Sequence, residues 1–140
     1  MTFSVGQGAI VVDASVAVRF VQADPQWLDQ WTHWIESGAM IVAPSHFGHE
    51  VANALLRSTN VGAMRAQAMV AALFGAGVEM TDRGLPGLLG SIELAGQHGL
   101  TVYDAAYLDL ALDIDGALAT LDRKLEAAAI AEGVEVVPAH

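Results

Sequence analysis

Short, continuous apolar runs recur along the chain and alternate with longer segments whose apolar residues follow helical spacing. The first run, AIVV at residues 9–12, is typical of a strand buried on both faces of a parallel sheet. Further strands are predicted at 40–43, 78–81, 117–120 and 134–137, and the intervening segments predict helices at 13–20, 27–37, 45–58, 63–74, 85–98, 101–113 and 122–131. This alternation predicts a three-layer α/β/α sandwich with a mainly parallel central sheet.

Size and composition limit the kinds of protein this chain can be. Its 140 residues are expected to form a single domain, residues 1–140, that is stable without disulfides. The absence of cysteine excludes zinc–thiolate sites and fits a cytoplasmic location. No secretory signal is predicted, because the first twenty residues lack a basic segment and Asp13 interrupts their apolar run. No run of about 18 apolar residues occurs, so no membrane span is expected.

The formal net charge of -10 argues against simple electrostatic binding of nucleic acid. Of the six Lys and Arg residues, Arg19, Arg123 and Lys124 lie near the motifs described below and are candidates for contacts with a nucleic-acid backbone. Ordinary solvated surface residues would look the same. Carboxylates that hold divalent cations make their cleft locally positive, so acidity alone does not exclude a nuclease.

Two aspartates directly follow predicted strands. Asp13 follows the first strand and Asp122 follows the strand that ends at Thr120. Ligands of open parallel sheets bind beyond the carboxyl ends of the strands, so both aspartates are candidates for a site. Each could instead be the N-cap of the next helix. Thr120 is either an orienting hydroxyl or a plain β-branched strand residue.

Two further carboxylates lie on helices. Glu50 borders the apolar stripe of its helix, where a carboxylate without a partner is unfavourable, although a solvated face with a contact to Asn53 explains it equally simply. Thr101 and Asp104 form a capping-box-like pattern, so Asp104 could serve only the helix dipole. In a parallel α/β fold all four carboxylates can converge at one rim of the sheet. Such an oxygen-rich site favours Mg²⁺ or Mn²⁺.

Other signals point to structure rather than chemistry. Trp27, Trp31 and Trp34 follow helical spacing and are interpreted as core or an interface rather than a base-stacking platform. Asp109, Asp113 and Asp115 are interpreted as structural, although Asp109 lies only five residues from Asp104 and is the one of them to examine for a role at the site. The five histidines have no metal-binding spacing, and the chain has neither a phosphate-binding glycine loop nor a GxSxG motif.

Four segments carry a resemblance to a known family. They are VVDASVA at residues 11–17, HEVANAL at 49–55, GLTVYDAAY at 99–107 and LATLDRKL at 118–125. With GVEVV at 133–137, they resemble the PIN domain, in particular the VapC-type toxins of bacterial toxin–antitoxin pairs. The resemblance covers nearly the whole chain, from residue 10 to about residue 137, and its ordered motifs make it specific.

This resemblance implies an activity, a site and partners. The activity would be endonucleolytic cleavage of RNA, often a tRNA or ribosomal RNA, by a homodimer that a cognate VapB-type antitoxin neutralises. The catalytic residues, which bind one or two Mg²⁺ or Mn²⁺ ions, would be Asp13, Glu50, Asp104 and Asp122. Secondary contacts at the site would come from Ser15, Asn53 and Thr120. Two metal ions can activate a water and stabilise the leaving oxygen, so no protein nucleophile is needed.

Two other hypotheses compete with the ribonuclease. The acidity and the few basic residues favour a catalytically silent PIN-like module that acts through protein or nucleic-acid contacts. A phosphatase that uses Asp13 as its nucleophile is disfavoured, because Ser15 stands where the usual DxDx[TV] motif has its second aspartate.

Overall fold

The computed structural model describes residues 8–58 and 60–137, which form five strands and seven helices. In chain order these elements are β1 (Ala9–Val12), α1 (Ala14–Val21), α2 (Pro25–Glu36), β2 (Met40–Pro44), α3 (Phe47–Arg57), α4 (Ala63–Gly75), β3 (Val78–Thr81), α5 (Gly84–His98), α6 (Val102–Asp113), β4 (Ala117–Ala119), α7 (Arg123–Ala131) and β5 (Val136–Val137). All predicted elements are present. Among the described residues, no helix is long and apolar enough to cross a membrane.

The sheet is parallel throughout the described strands, in the order β3-β2-β1-β4-β5. The predicted α/β/α sandwich is therefore confirmed. Most boundaries agree with the prediction to within one or two residues. The helix expected from residue 45 begins at Phe47, because Pro44 still belongs to β2, where it pairs with Thr81 of β3. The last strand, expected at 134–137, covers only Val136–Val137.

The order of the strands creates a crevice at the carboxyl edge of the sheet. From β1 the chain proceeds outward to β2 and β3 on one side, whereas β4 and β5 lie on the other side. The connections that leave β1 and β4 therefore run in opposite directions and separate at this edge. Such a switch point is where open α/β sheets usually bind ligands.

The core lies on both faces of the central strands. Ile10, Val11 and Val12 of β1 are fully buried, which explains why this strand is apolar without alternation. The three tryptophans of α2 are at most 2% exposed, so their interpretation as core is confirmed. Trp31 stacks on Phe20 with ring centroids 4.0 Å apart and donates a hydrogen bond from Nε1 to a backbone carbonyl at 3.0 Å.

Candidate active site

Asp13 lies at the switch point, directly after β1. Its Oδ1 accepts hydrogen bonds from Ser15 Oγ at 2.6 Å and from the backbone N–H of Val16 at 3.1 Å. The hydroxyl of Thr120, the residue after β4, donates to Oδ2. Asp13 therefore caps α1 and also ties together the ends of two adjacent strands. The two interpretations of Asp13 offered by the sequence are compatible.

The environment of Asp13 disfavours its charge. The residue is only 5% exposed, and burial raises the pKa of its carboxyl to about 6. The hydrogen bonds from Ser15, Thr120 and Val16 act in the opposite direction, while the negative charge of Asp104 adds to the rise. A carboxylate held so firmly at an elevated pKa is suited to binding a cation, which would stabilise its charged form.

Glu50 points into the same region from the first turn of α3. Its Oε1 accepts a hydrogen bond from the Tyr107 hydroxyl at 2.5 Å, and His46 Nε2 lies 3.2 Å from the same oxygen, within ion-pair distance. Burial acts to raise the pKa of Glu50, but Tyr107 and His46 outweigh it, so the pKa lies below its ordinary value. Glu50 is thus an oriented, ionised carboxylate rather than part of a solvated face.

Asp104 and Asp122 complete the set. Asp104 lies in the first turn of α6, and its backbone N–H donates to Thr101 Oγ1 at 3.1 Å, as the capping pattern predicted. Asp122 caps α7, since its Oδ1 accepts from two backbone N–H groups at 2.9 and 3.0 Å. Burial raises the pKa of Asp104, and the charges of Asp122 and Glu50 raise it further. Asp104 is therefore close enough to the other three carboxylates for their charges to interact.

One cavity of about 740 Å³ joins these side chains. Its lining includes the whole predicted quartet, Asp13, Glu50, Asp104 and Asp122, together with Ser15, Asn53 and Arg19. Thr120 lies behind Asp13 and reaches the site through its hydrogen bond. Arg123 and Lys124 are exposed on the first turn of α7 and are not part of this lining, so their contact with a nucleic-acid backbone stays a prediction.

Sequence reasoning did not assign to the site five polar side chains that line the cavity: His46, His49, Arg57, Tyr103 and Tyr107. Helical spacing carries a signal for three of them. His46 precedes Glu50 by four residues and Arg57 follows it by seven, so both share its helix face, and Tyr107 follows Asp104 by three. His49 and Tyr103 could not be assigned to the site without the arrangement of α3 and α6.

The donor set fits a hard divalent cation. The four carboxylates offer oxygen ligands, which Mg²⁺ and Mn²⁺ prefer. Among residues 8–58 and 60–137, no three acidic or histidine side chains are already gathered at coordinating distance. What supports a divalent cation at this site is therefore the oxygen chemistry of the four carboxylates and the cavity that they share. The mutual repulsion that raises the pKa of Asp104 is the feature that a cation would relieve.

The other acidic residues of α6 have a structural role. Asp109 forms an ion pair with Arg83 Nη1, and Asp113 Oδ2 lies 3.1 Å from Arg83 Nε. These ion pairs support the structural interpretation of Asp109 and Asp113. Because both aspartates pair with Arg83, its positive charge is not available to the carboxylate cavity.

The parallel sheet and its acidic carboxyl edge define an α/β protein with a metal-compatible site. Comparison with protein families agrees, because residues 10–131 match the family model described as the PIN domain. The chain belongs to the PIN domain family.

Individual relatives agree with this family. A segment of 32 residues is 66% identical to Ribonuclease VapC3 of Pyrobaculum aerophilum, covering 23% of this chain and 24% of that protein. The matched segment thus spans about a quarter of the relative's length. The structure of VapC20 from Mycobacterium tuberculosis, a toxin that cleaves the sarcin-ricin loop, superposes with a TM-score of 0.69 at 19% identity over 92% of this chain and 99% of the other.

A second solved structure shares the fold. VapBC2 from Rickettsia felis, bound to a DNA fragment from its promoter, gives a TM-score of 0.71 at 12% identity, covering 91% of this chain and 96% of the other. At these low identities the structural likeness establishes the fold alone.

Proposed function

We propose that this chain is a metal-dependent endoribonuclease that hydrolyses RNA phosphodiester bonds. The observation that carries the proposal is the convergence of four carboxylates from separate elements on one cavity at the switch point of the sheet. No cysteine is available as a nucleophile. Four carboxylates that share a crevice can hold a divalent cation, and such a cation can activate a water for phosphodiester hydrolysis. The partial relative is named a ribonuclease, which supports RNA as the substrate.

Asp13, Glu50, Asp104 and Asp122 would hold Mg²⁺ or Mn²⁺. When bound, such a cation supplies an activated water and neutralises charge that develops on the phosphate. The protein contributes orientation through Ser15 and Thr120 on Asp13, Tyr107 on Glu50, and the first N–H groups of α7 on Asp122. Such supporting hydrogen bonds are commonly worth 10- to 100-fold in metal affinity, about the range expected here.

The cavity also offers cations for a phosphate backbone. Arg19 and Arg57 both line it. Arg19 is exposed and forms an ion pair with Asp24 at 3.4 Å. An exposed pair of this kind contributes little stability, typically about 0–1 kcal/mol, so it can open at small cost when a phosphate approaches. Asn53 adds a neutral polar group to the same wall.

The proposed biological setting is a toxin–antitoxin pair in the cytoplasm. A VapB-type antitoxin would neutralise the nuclease by blocking its cavity, as in the family that the sequence resembles. We also propose a homodimer. Its support is an exposed apolar stripe on consecutive turns of α5, formed by Leu85, Leu89 and Ile92. Sedimentation of the wild type and of Leu89→Glu tests the dimer, which the substitution is expected to dissociate.

Cleavage of RNA by the purified chain tests the proposed activity. Wild type is expected to cut single-stranded RNA in Mg²⁺ or Mn²⁺ and to stop when EDTA is added, whereas Asp104→Asn is expected to lose the activity. Asp115→Asn is the matched control, because Asp115 precedes β4 at the opposite end of the sheet and its φ of 53° suits asparagine. Equal cleavage by wild type and Asp104→Asn would refute the proposal.

The alternative is a silent binding module, which the net charge of -10 favours. Calorimetry with Mn²⁺ separates the two. A nuclease is expected to bind Mn²⁺ at millimolar concentration or below, and to bind it less tightly as Asp104→Asn. Heat changes indistinguishable from buffer would favour the binding module.

A further inference from the structure

A second cavity adjoins the carboxylate cavity at the same edge of the sheet. It has a volume of about 320 Å³ and is bounded by Pro44 at the end of β2 and Thr81 at the end of β3. His46 and Tyr103 line both cavities, and their ring centroids lie 5.3 Å apart. A chain bound at the carboxylates would therefore have this second cavity as its immediate neighbour.

The charges in the second cavity do not suit a phosphate. Among its described lining residues, Arg83 is the only arginine or lysine, and it is paired with Asp109 and with Asp113. Asp82 adds a further negative charge to the wall. Phosphate recognition relies on cations or N–H groups that are available to the anion. A ligand of this cavity is therefore neutral or carries hydrogen-bond donors.

The walls of the cavity suit a flat ligand with a polar edge. Leu88, Val102, Ala106 and Leu110 provide apolar surface, and the Tyr103 ring is 64% exposed and can stack on a planar group. At about 320 Å³ the space falls at the lower end of the range of roughly 300–1,000 Å³ for small-molecule sites. One nucleoside matches this combination of size, apolar faces and polar edge.

Asp82 gives the cavity a preference among nucleobases. Its Oδ1 accepts a hydrogen bond from the backbone N–H of Gly84 at 2.8 Å, and an ionised carboxylate can accept several further donors. An amino group, such as N4 of cytosine, can donate to it. Uracil would instead present carbonyl oxygens beside its ring N–H, and these oxygens repel the carboxylate.

We propose that the second cavity is a nucleoside subsite beside the scissile phosphate, and that it selects a nucleobase that carries an amino donor. The subsite rests on the proposed nuclease function, because its place in a substrate is defined by cleavage at the carboxylates. It would decide which RNA sequences are cut, whereas the carboxylates would carry the hydrolysis.

Filling the cavity tests the subsite. Ala106→Met places extra side-chain volume between the apolar walls, and Ala71→Met puts the same change in the separate groove between α3 and α4. Cleavage of a random-sequence RNA pool is read by sequencing, and hydrolysis of bis(4-nitrophenyl) phosphate, a diester without a nucleobase, is measured in parallel. Ala106→Met is expected to lower both the base preference and the ratio of RNA to diester cleavage about tenfold. Ala71→Met is expected to match wild type in both.

Changing the acceptor tests the preference for an amino group. Asp82→Asn keeps an oxygen for the Gly84 N–H and adds a donor, so it is expected to shift the preference toward uracil about tenfold. This variant also decides the matter if Ala106→Met fails to fold. A preference that is the same in wild type and Asp82→Asn would overturn the subsite.

Nucleoside binding separates this proposal from the nuclease function itself. Cytidine, and not uridine, is expected to shift the NMR signals of Leu88 and Tyr103 in the wild-type protein, and Ala106→Met is expected to suppress the shift. This measurement requires no catalysis, so an inactive protein that binds cytidine retains the subsite and loses only the nuclease. No shift with millimolar cytidine, adenosine or guanosine would overturn the subsite even if RNA is cleaved.

Discussion

Replacing Asp13 by asparagine is expected to stabilise the metal-free protein while removing a ligand. Burial raises the pKa of this carboxyl from 3.8 to about 6. Each tenfold change in proton affinity is worth about 1.4 kcal/mol, so the ionised side chain costs about 3 kcal/mol relative to a neutral one. Asparagine keeps an acceptor for the Ser15 hydroxyl and is itself a favourable N-cap, although the Thr120 hydroxyl loses its acceptor at Oδ2, which offsets part of the gain.

The effect should depend on pH in a defined direction. Because the pKa of Asp13 is higher in the folded than in the unfolded chain, the folded state holds the proton more tightly. The contribution of this group to stability is complete below about pH 3.8 and is lost as the pH rises to about 6. Asp13→Asn is therefore expected to exceed wild type by about 2–3 kcal/mol at pH 8, with the advantage shrinking toward pH 4.

Urea denaturation in EDTA measures this difference, with the three buried tryptophans as the fluorescent reporters. The control is Asp115→Asn, which should leave the pH dependence unchanged. The reasoning about burial would be refuted if Asp13→Asn were no more stable than wild type at pH 8. It would also be refuted if the two proteins differed by the same amount at pH 4 and pH 8.

Three further predictions concern the metal, its support and the packing of α5. Mg²⁺ at 100 times its Kd is expected to stabilise wild type by about 2.7 kcal/mol in thermal melts at pH 8 and to have little effect on Asp13→Asn. Equal stabilisation of the two proteins would contradict the assignment of Asp13 as a ligand. Tyr107→Phe removes the 2.5 Å hydrogen bond to Glu50 and is expected to weaken Mn²⁺ binding about 10- to 100-fold in calorimetry, whereas an unchanged Kd would exclude a positioning role. Gly90→Ala is expected to destabilise by about 1–3 kcal/mol in urea denaturation, because the new Cβ overlaps the Asp109 carboxylate, which the ion pair with Arg83 holds in place. Gly96→Ala on the same helix has open space and should stabilise by about 0.5–1 kcal/mol, and the same sign for both would contradict the packing.

Local sequence patterns predicted most of the fold. The uniformly apolar run of β1 predicted a strand covered on both faces, and the structure buries Ile10, Val11 and Val12 completely. The capping pattern at Thr101 predicted the start of α6, and its side chain accepts the expected hydrogen bond. These predictions succeed because burial pattern and helix capping depend on residues a few positions apart.

The candidate site was predictable only in part. The four carboxylates could be named because they follow strands or lie near helix starts and because the motifs around them resemble the PIN domain, and the structure brings all of them to one cavity. Ser15 and Thr120, which bond Asp13, were also predicted as contacts at the site. The partner of Glu50 was not predicted, because Tyr107 lies 57 residues away in the sequence. The ion pair between Arg83 and Asp109 spans 26 residues and was not predicted either.

The sequence by itself determined the alternation of strands and helices, the apolar core and the acidic residues available for a site. Only the tertiary structure decided that β4 lies beside β1, so that Thr120 can donate a hydrogen bond to Asp13 across 107 residues. It also decided that a buried carboxyl with a raised pKa stands where the strand connections separate. The physical reason is that hydrophobic periodicity specifies which face of an element is buried, whereas strand order and side-chain partners follow from the packing of all elements together.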